Sequence, residues 1–297
     1  MPSRSGDALP RLSEVIDWNH TSNFTSEARP TMPYFETSTG KVFAAVQGEG
    51  APILLLHGFP LSHRMWREQL GPLSASGKVI APDFPGFGQT MLVDDGMSMD
   101  AYAASALSVC EAIAPGQSIH VVGLSMGGYV AMAMLRMAPG RIQSLTLTNT
   151  KQEADTEEAA QKRLAMAEKL LVDGSRVAAE AMLPNVMAKS VNEDRPALFD
   201  FVRDLMISQS ARGLAAAQRA MAARPDSTGT LAGCPVPVLV IAGDDDRITP
   251  APAMEQMAAG IPGGKFVLIH GAGHLTVLEK PAPVNEAILA HIGLNSK

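Results

Sequence analysis

The feature that most constrains this chain is a short apolar run, followed at once by a glycine-bounded serine and a second apolar run. Residues 119–122 read Ile-His-Val-Val, which is typical of a buried strand. Residues 123–127 read Gly-Leu-Ser-Met-Gly, and residues 129–134 are apolar in a helical segment. The sequence therefore predicts a strand, a tight turn and a helix around Ser125.

This context is typical of a nucleophile elbow, in which a sharp turn exposes a serine hydroxyl above a sheet. Gly123 and Gly127 lie where a side chain would collide with the turn. The N–H of Met126 begins the following helix and points to the same place as the Ser125 Oγ. We therefore predict that Ser125 is a nucleophile and that Met126 supplies one backbone donor to an oxyanion hole. On the motif alone, an incidental serine in a glycine-rich turn is the alternative.

Length and composition allow one large α/β domain with an insertion, or two small domains. The chain has 297 residues, of which 46% are hydrophobic. The net charge is −6 and there is no basic run, so we expect no nucleic-acid partner. No segment reaches 18 apolar residues, so we expect no membrane partner. Residues 1–30 lack the apolar core of a signal peptide, and we expect a partly mobile extension and a cytoplasmic protein.

The two cysteines, Cys110 and Cys234, are far apart in the sequence. We expect buried thiols rather than a disulfide, with Cys110 in a helix and Cys234 at the start of a strand. Cysteine and histidine pairs with the spacing of a zinc site are absent from the sequence. We therefore expect no metal and no cofactor.

Strand and helix patterns alternate along most of the chain. Strands are predicted at 34–37, 41–47, 53–56, 79–82, 119–122, 144–148, 236–242 and 265–269. Helices are predicted around 66–73 and over 99–113, 251–259 and 283–292, with Ser98 as a cap. Continuous apolar strands in this order predict an α/β fold with a mostly parallel, doubly wound sheet. In such sheets the site lies at the carboxyl ends of the strands.

Residues 151–224 interrupt this alternation. They contain helical patterns at 156–172, 175–182, 194–209 and 211–223, and no strand pattern. We interpret 151–224 as an all-helical cap, and 31–150 with 225–297 as the core. Methionines of the cap suit either an adaptable pocket lining or cap-to-core packing; they are Met166, Met182, Met187, Met206 and Met221. Arg212 and Arg219 are candidates for binding a substrate carboxylate.

Three further motifs lie at predicted strand ends. Residues 57–60 read His-Gly-Phe-Pro, 243–250 read Gly-Asp-Asp-Asp-Arg-Ile-Thr-Pro, and 271–275 read Gly-Ala-Gly-His-Leu. With the serine motif, and in this order, residues 34–295 resemble the α/β-hydrolase superfamily. The resemblance implies that His274 is the general base and that Asp246 orients it. By the same resemblance, Phe59 supplies the second oxyanion N–H and His57 has a structural role in that loop.

Alternatives to these assignments stay open. Asp245 is an alternative acid, because three adjacent carboxylates blur the motif, and His270 is an alternative base. Some family members place the acid after the earlier strand. That position reads Asn149-Thr150-Lys151 here, without a carboxylate, so we do not place the acid there.

A serine at the elbow distinguishes this chain from haloalkane dehalogenases and epoxide hydrolases, which resemble this fold but use an aspartate there. The motifs look most like the enol-lactonase and cofactor-free haloperoxidase-like esterase branch. The function expected is a serine hydrolase that cleaves a small carboxylic ester or lactone. An acyltransferase or perhydrolase, a C–C bond hydrolase on the same triad, and a ligand receptor on a hydrolase fold are the alternatives.

Overall fold

The computed structural model describes residues 33–293, so the predicted extension of residues 1–30 lies outside it. The described residues contain eight strands and twelve α-helices. The strands are β1 (Tyr34–Thr37), β2 (Gly40–Gln47), β3 (Pro52–Leu56), β4 (Lys78–Pro82), β5 (Ile119–Leu124), β6 (Ile142–Thr148), β7 (Val238–Gly243) and β8 (Lys265–Ile269).

All eight strands belong to one sheet in the order β1-β2-β4-β3-β5-β6-β7-β8. The first two pairings, β1 with β2 and β2 with β4, are antiparallel, and the other five are parallel. Strands β3, β5 and β7 are buried along their whole length, as expected for strands covered on both faces. The predicted mostly parallel α/β fold is confirmed.

Helices cover both faces of the sheet, and the alternation of side chains along each strand explains why. On β3, Leu54 and Leu56 belong to one buried cluster, whereas Ile53 and Leu55 belong to the other. The first cluster packs against α2 (Met99–Ile113), α3 (Met126–Met137) and α10 (Ala251–Ala259). The second packs against α1 (Arg67–Ser74), α11 (Thr276–Glu279) and α12 (Pro281–Ile292). The Ser98 hydroxyl accepts a hydrogen bond from Ala101 N at 3.1 Å, so the predicted cap of α2 is confirmed.

The segment between β6 and β7 is helical, as its sequence predicts. It contains α4 (Glu157–Asp173), α5 (Arg176–Val186), α6 (Lys189–Asp194), α7 (Pro196–Ile207) and α8 (Ala211–Ala222), and α9 (Thr228–Ala232) follows before β7. The prediction of one helix over 194–209 is wrong. Arg195 leaves the helical conformation (φ −129°, ψ 63°) and Pro196 begins α7, because the residue before a proline disfavours the α conformation.

Cys110 and Cys234 are buried free thiols, as predicted. Cys234, however, precedes β7 rather than opening it, since the strand begins at Val238. The prolines at 235 and 237 explain the delay, because proline has no N–H to donate to a strand ladder. Within residues 33–293, no helix is long and apolar enough to cross a membrane.

Candidate active site

Ser125 lies between β5 and α3 with φ 54° and ψ −114°. A non-glycine residue at positive φ costs about 1–3 kcal/mol, so surrounding contacts must hold it. Its N–H donates to the Thr148 carbonyl at 3.0 Å, and its carbonyl accepts from Gly128 N and Thr150 Oγ1, each at 2.8 Å. Ser125 is partly exposed, whereas both neighbours in the chain are buried. The turn therefore presents its side chain out of the core.

Two glycines make the turn possible. A Cβ on Gly123 would overlap the Gly127 carbonyl oxygen, and a Cβ on Gly127 would overlap the Leu56 carbonyl oxygen. The predicted need for glycine at both positions is confirmed. The beginning of α3 consequently packs directly against the end of β3.

The turn of residues 57–59 packs against Ser125. A Cβ built on Gly58 would stand 3.4 Å from the Ser125 Cβ and 3.0 Å from Leu124 Cδ2. Phe59, the next residue, is buried. Met126 is the first residue of α3, so its N–H has no acceptor one turn back within the helix. The structure thus packs Gly58, the residue before Phe59, against the Ser125 turn, and Met126 follows Ser125 directly in the chain.

His57 links this turn to the end of β4. Its Nε2 accepts a hydrogen bond from Phe84 N at 3.1 Å, so Nδ1 carries the proton and donates to the Gly58 carbonyl at 3.1 Å. Complete burial lowers the pKa of His57 to about 4, although the charge of Asp83 opposes this. Both ring nitrogens are occupied, which fits a structural role in the loop.

Asp246 and His274 come together in the core. His274 Nδ1 donates to Asp246 Oδ2 at 2.9 Å, and both side chains are almost completely buried. His274 Nε2 is also buried, and it has no hydrogen-bond partner among the described residues, Ser125 included. The imidazole therefore has one nitrogen held by a carboxylate and the other free to accept a proton.

Asp246 accepts four further hydrogen bonds from described residues. Its Oδ1 accepts from the N–H groups of Ile248 and Thr249, at 2.8 and 3.0 Å. Its Oδ2 accepts from Thr249 Oγ1 at 2.5 Å and from Asn149 Nδ2 at 2.8 Å. Burial alone would raise the pKa of Asp246, but the charge and hydrogen bond of His274 and the bonds from Thr249 outweigh it. The pKa of Asp246 therefore lies well below its usual range.

The neighbouring candidates have other partners. Asp245 accepts from Lys189 N at 3.1 Å and lies 3.5 Å from the Arg247 guanidinium. Asp244 lies 3.1 Å from His270 Nδ1, and the His270 side chain is 82% exposed. The geometry therefore places neither Asp245 nor His270 in the pair that Asp246 and His274 form.

The family model described as the alpha/beta hydrolase family matches residues 53–287. The chain belongs to this family. The residues matched begin in β3 and end in α12, so they include the Ser125 turn, Asp246 and His274.

Three relatives indicate which kinds of alpha/beta hydrolase this chain resembles. The solved structure of a thermophilic esterase from Thermogutta terrifontis is 36% identical, with a TM-score of 0.84 over 88% of this chain and 97% of the esterase. A non-heme haloperoxidase of Rhodococcus erythropolis is 28% identical over 88% of this chain and 99% of its own. The 3-oxoadipate enol-lactonase 1 of Acinetobacter baylyi is 27% identical over 78% and 85%. The predicted resemblance to esterases, lactonases and haloperoxidases is thus confirmed.

Sequence reasoning missed two side chains that hold the Asp246 carboxylate of this alpha/beta hydrolase. Asn149 is in the left-handed region (φ 47°), and Thr276 Oγ1 donates to its Oδ1 at 2.7 Å. This fixes its amide so that Nδ2 faces Asp246. Thr249 donates to Asp246 three residues earlier. Thr249 lies within the motif of residues 243–250, so the sequence carries a signal for it, whereas no sequence motif marks Asn149.

The arginine candidates form surface ion pairs. Arg212 pairs with Asp95 at 2.8 Å, and Arg219 pairs with Glu168 at 2.8 Å. Of the five methionines, Met187, Met206 and Met221 are buried, while Met166 and Met182 are partly exposed. Burial favours the packing interpretation for the first three. In residues 33–293, no three His, Cys, Asp or Glu side chains cluster in a way that could hold a metal ion.

Proposed function

We propose that this alpha/beta hydrolase is a serine hydrolase that cleaves a small carboxylic ester or lactone through an acyl-enzyme. The observation that carries the proposal is the His274 ring. Its Nδ1 is bound to Asp246 at 2.9 Å, and its buried Nε2 has no partner among the described residues. A general base needs this arrangement, because one nitrogen must be fixed in tautomer while the other accepts a proton.

The chemistry follows from these positions. Ser125 Oγ attacks the substrate carbonyl carbon while His274 Nε2 takes its proton, and Asp246 stabilises the imidazolium. The N–H groups of Phe59 and Met126 donate to the oxyanion of the tetrahedral intermediate. The imidazolium then protonates the leaving alcohol oxygen, and an acyl-enzyme on Ser125 remains. Water, deprotonated by His274, attacks the acyl-enzyme and releases the acid and the free serine.

The helical insertion supports a division of labour within this mechanism. Residues 151–224 lie between the half of the chain that carries Ser125 and the half that carries Asp246 and His274. We assign this segment the role of a cap that selects the acyl and alcohol groups, over a core formed by residues 31–150 and 225–297. Relatives named as an esterase and as an enol-lactonase support the substrate class.

Labelling with a fluorophosphonate tests the proposal, together with a panel of p-nitrophenyl esters and lactones of graded acyl length. The native protein should be labelled on Ser125 and should hydrolyse short members of the panel. Ser125→Ala should remove labelling and lower kcat by about 10⁴–10⁶. More than a tenth of native kcat in this variant would exclude Ser125 as the nucleophile.

Two further experiments test whether a metal is needed and whether hydrolysis or acyl transfer is the main reaction. Activity should survive exhaustive treatment with EDTA, because no metal takes part in the proposed steps. Adding an alcohol acceptor distinguishes hydrolysis from acyl transfer, since a transferase would form the new ester as its main product. A native protein that is not labelled at all would favour a ligand receptor on this fold.

A further inference from the structure

Glu279 is a buried carboxylate that the proposed mechanism does not use. It is the last residue of α11, five positions after His274, and it is 3% exposed. Within residues 33–293, its carboxylate forms no ion pair with a lysine or arginine. A buried charge without a counter-charge is costly unless hydrogen bonds satisfy it.

Three backbone N–H groups satisfy Glu279. Its Oε2 accepts from Gly273 N at 2.9 Å and from Ala188 N at 2.8 Å, and its Oε1 accepts from Leu275 N at 3.0 Å. Both oxygens accept hydrogen bonds and neither faces an acceptor, which is the pattern of a carboxylate. Gly273 and Leu275 are the two neighbours of His274 in the chain. Glu279 therefore holds the backbone on both sides of the imidazole.

The third donor belongs to the helical insertion. Ala188 lies between α5 and α6, and Val186 accepts a second bond from Leu275 N at 3.1 Å. A Cβ on Gly273 would stand only 2.5 Å from Ala188 N. The insertion and the loop of His274 are therefore in close contact at Glu279, and one carboxylate joins them.

His274 is the ionisable group whose charge acts on the Glu279 carboxylate. Burial raises the pKa of Glu279, while the three backbone bonds and the charge of His274 oppose this. Arg195 donates to the backbone carbonyls of Leu278 and Glu279 rather than to the carboxylate. Lys280 projects beside Gly271, and Asp246 is hydrogen-bonded to Nδ1 of the imidazole.

We infer that Glu279 is a positioning residue for His274: it fixes the backbone on both sides of the imidazole and adds a second negative charge that stabilises the imidazolium. This inference rests on the proposed function, because it concerns the proton that His274 takes from Ser125. Asp246 acts through the ring nitrogen, and Glu279 acts through the chain that carries the ring. The two carboxylates have separate contacts and separate effects.

Glu279→Gln tests the inference, because it removes the charge with little change of shape. We expect kcat on a short p-nitrophenyl ester to fall about tenfold or more, with KM within about twofold, since the imidazolium forms only during the reaction. We also expect the acidic limb of the kcat/KM–pH profile to move lower, because removing a negative charge beside the His274 loop disfavours the protonated base. Active-site titration with the fluorophosphonate corrects each rate for the folded fraction.

Asp244→Asn is the matched control. Asp244 accepts bonds from Gly271 N and Ala272 N in the same loop, but its side chain is 35% exposed, so solvent screens its charge. This variant should keep kcat and the pH profile of the native protein. Glu279→Asp should restore the native position of the acidic limb, because it keeps the charge. If Glu279→Gln fails to fold, Glu279→Asp decides: a limb that moves lower in spite of the charge overturns the inference.

Two outcomes would overturn the electrostatic role of Glu279. One is an unchanged kcat and pH profile in Glu279→Gln. The other is an equal loss at every pH with the acidic limb unmoved, which is what a purely structural role predicts. Ser125→Ala separates these failures from failure of the proposed function. If that variant remains active, the serine mechanism is wrong; if it is inactive while Glu279→Gln behaves as native, only the inference about Glu279 is wrong.

Discussion

Asn149 donates a hydrogen bond from Nδ2 to Asp246 Oδ2 at 2.8 Å, and this is the oxygen that also accepts from His274 Nδ1. The two residues are 97 positions apart and follow different strands, β6 and β7. Asn149 holds the carboxylate from a loop other than the one that carries Asp246. Its amide therefore orients the carboxylate that binds the His274 imidazole.

Replacing Asn149 separates this bond from the backbone conformation of the residue. Asn149→Gly removes the amide but tolerates φ 47°. We expect kcat to fall about tenfold or more, because a hydrogen bond to a charged group is worth about 1.5–3 kcal/mol. Asn149→Ala should lose the same activity and an additional 1–2 kcal/mol or so of unfolding free energy, measured in urea, since alanine is strained at positive φ. Native kcat in the glycine variant would contradict the role of the amide.

Asp245 and Asp246 are adjacent, so their asparagine variants test which of the two carboxylates orients His274. Asp246→Asn should lower kcat by about 10²–10⁴, because the imidazole then adopts the wrong tautomer or orientation. Asp245→Asn should have little effect, since Asp245 accepts from Lys189 N and from the exposed Arg247 guanidinium rather than from His274. Initial rates on one ester, with both variants checked by circular dichroism, decide the matter. The opposite ranking would move the acid by one residue.

The elements predicted best from sequence are those specified by local signals. The Ser125 turn needed its two glycines, and α2 begins at its Ser98 cap. Helix α10 has the predicted limits, with Pro250 as its N-cap. These features depend on a few adjacent residues, so the sequence alone carries the information.

Contacts between distant segments could not be predicted in this way. Asn149 meets Asp246, and Glu279 meets Ala188, only because the sheet and the insertion bring them together. Short helices such as α9 and α11 are likewise stabilised by packing rather than by intrinsic propensity. The break between α6 and α7 is different: Pro196 is a local signal for it, whereas the apolar periodicity continues across it.

Burial of His57 predicts a pH-dependent stability. The pKa of His57 is lowered to about 4 in the fold, against about 6.5 when unfolded. As the pH falls, His57 takes up a proton in the unfolded chain before it does so in the fold. The contribution of neutral His57 to the free energy of unfolding is therefore complete above about pH 6.5 and is lost as the pH falls toward 4. The loss should reach about 3 kcal/mol.

Urea unfolding at pH 7 and pH 4 measures this term. His57→Gln keeps an acceptor for Phe84 N and a donor for the Gly58 carbonyl, but does not titrate. Its unfolding free energy should therefore fall less between the two pH values than that of the native protein. His270→Gln, at an exposed position, should behave as native. An equal fall in unfolding free energy between pH 7 and pH 4 in all three proteins would show that His57 does not take up a proton on unfolding.

The two ends of the helical insertion meet at Asp155. Its side chain, 1% exposed, accepts from Arg224 Nη2 at 2.7 Å and from Arg163 Nε at 2.5 Å. Arg224 also donates to the Glu153 carbonyl at 2.9 Å, and its guanidinium lies 4.2 Å from the centre of the Tyr129 ring in α3. The ion pair therefore connects both ends of the insertion to α3, the helix that follows Ser125.

Asp155→Asn should destabilise the protein by about 3–5 kcal/mol at neutral pH, because it leaves Arg224 buried without its counter-charge. Burial raises the pKa of Asp155, but the hydrogen bonds and charges of Arg224 and Arg163 outweigh it and hold the pKa well below its usual range. The contribution is therefore present above about pH 4, where the unfolded aspartate is ionised, and is lost as the pH falls further.

Urea unfolding at pH 7 and pH 3 should show a smaller difference between Asp155→Asn and the native protein at the lower pH. Asp200→Asn, which breaks an exposed pair with Arg203, should leave the urea midpoint unchanged at both. Hydrogen exchange in Asp155→Asn should rise more in α4 and α8 than in β5 and β6, since the pair joins the ends of the insertion to each other and to α3 rather than the strands to one another. Exchange that rises equally throughout would mean that the insertion and the core unfold as one unit.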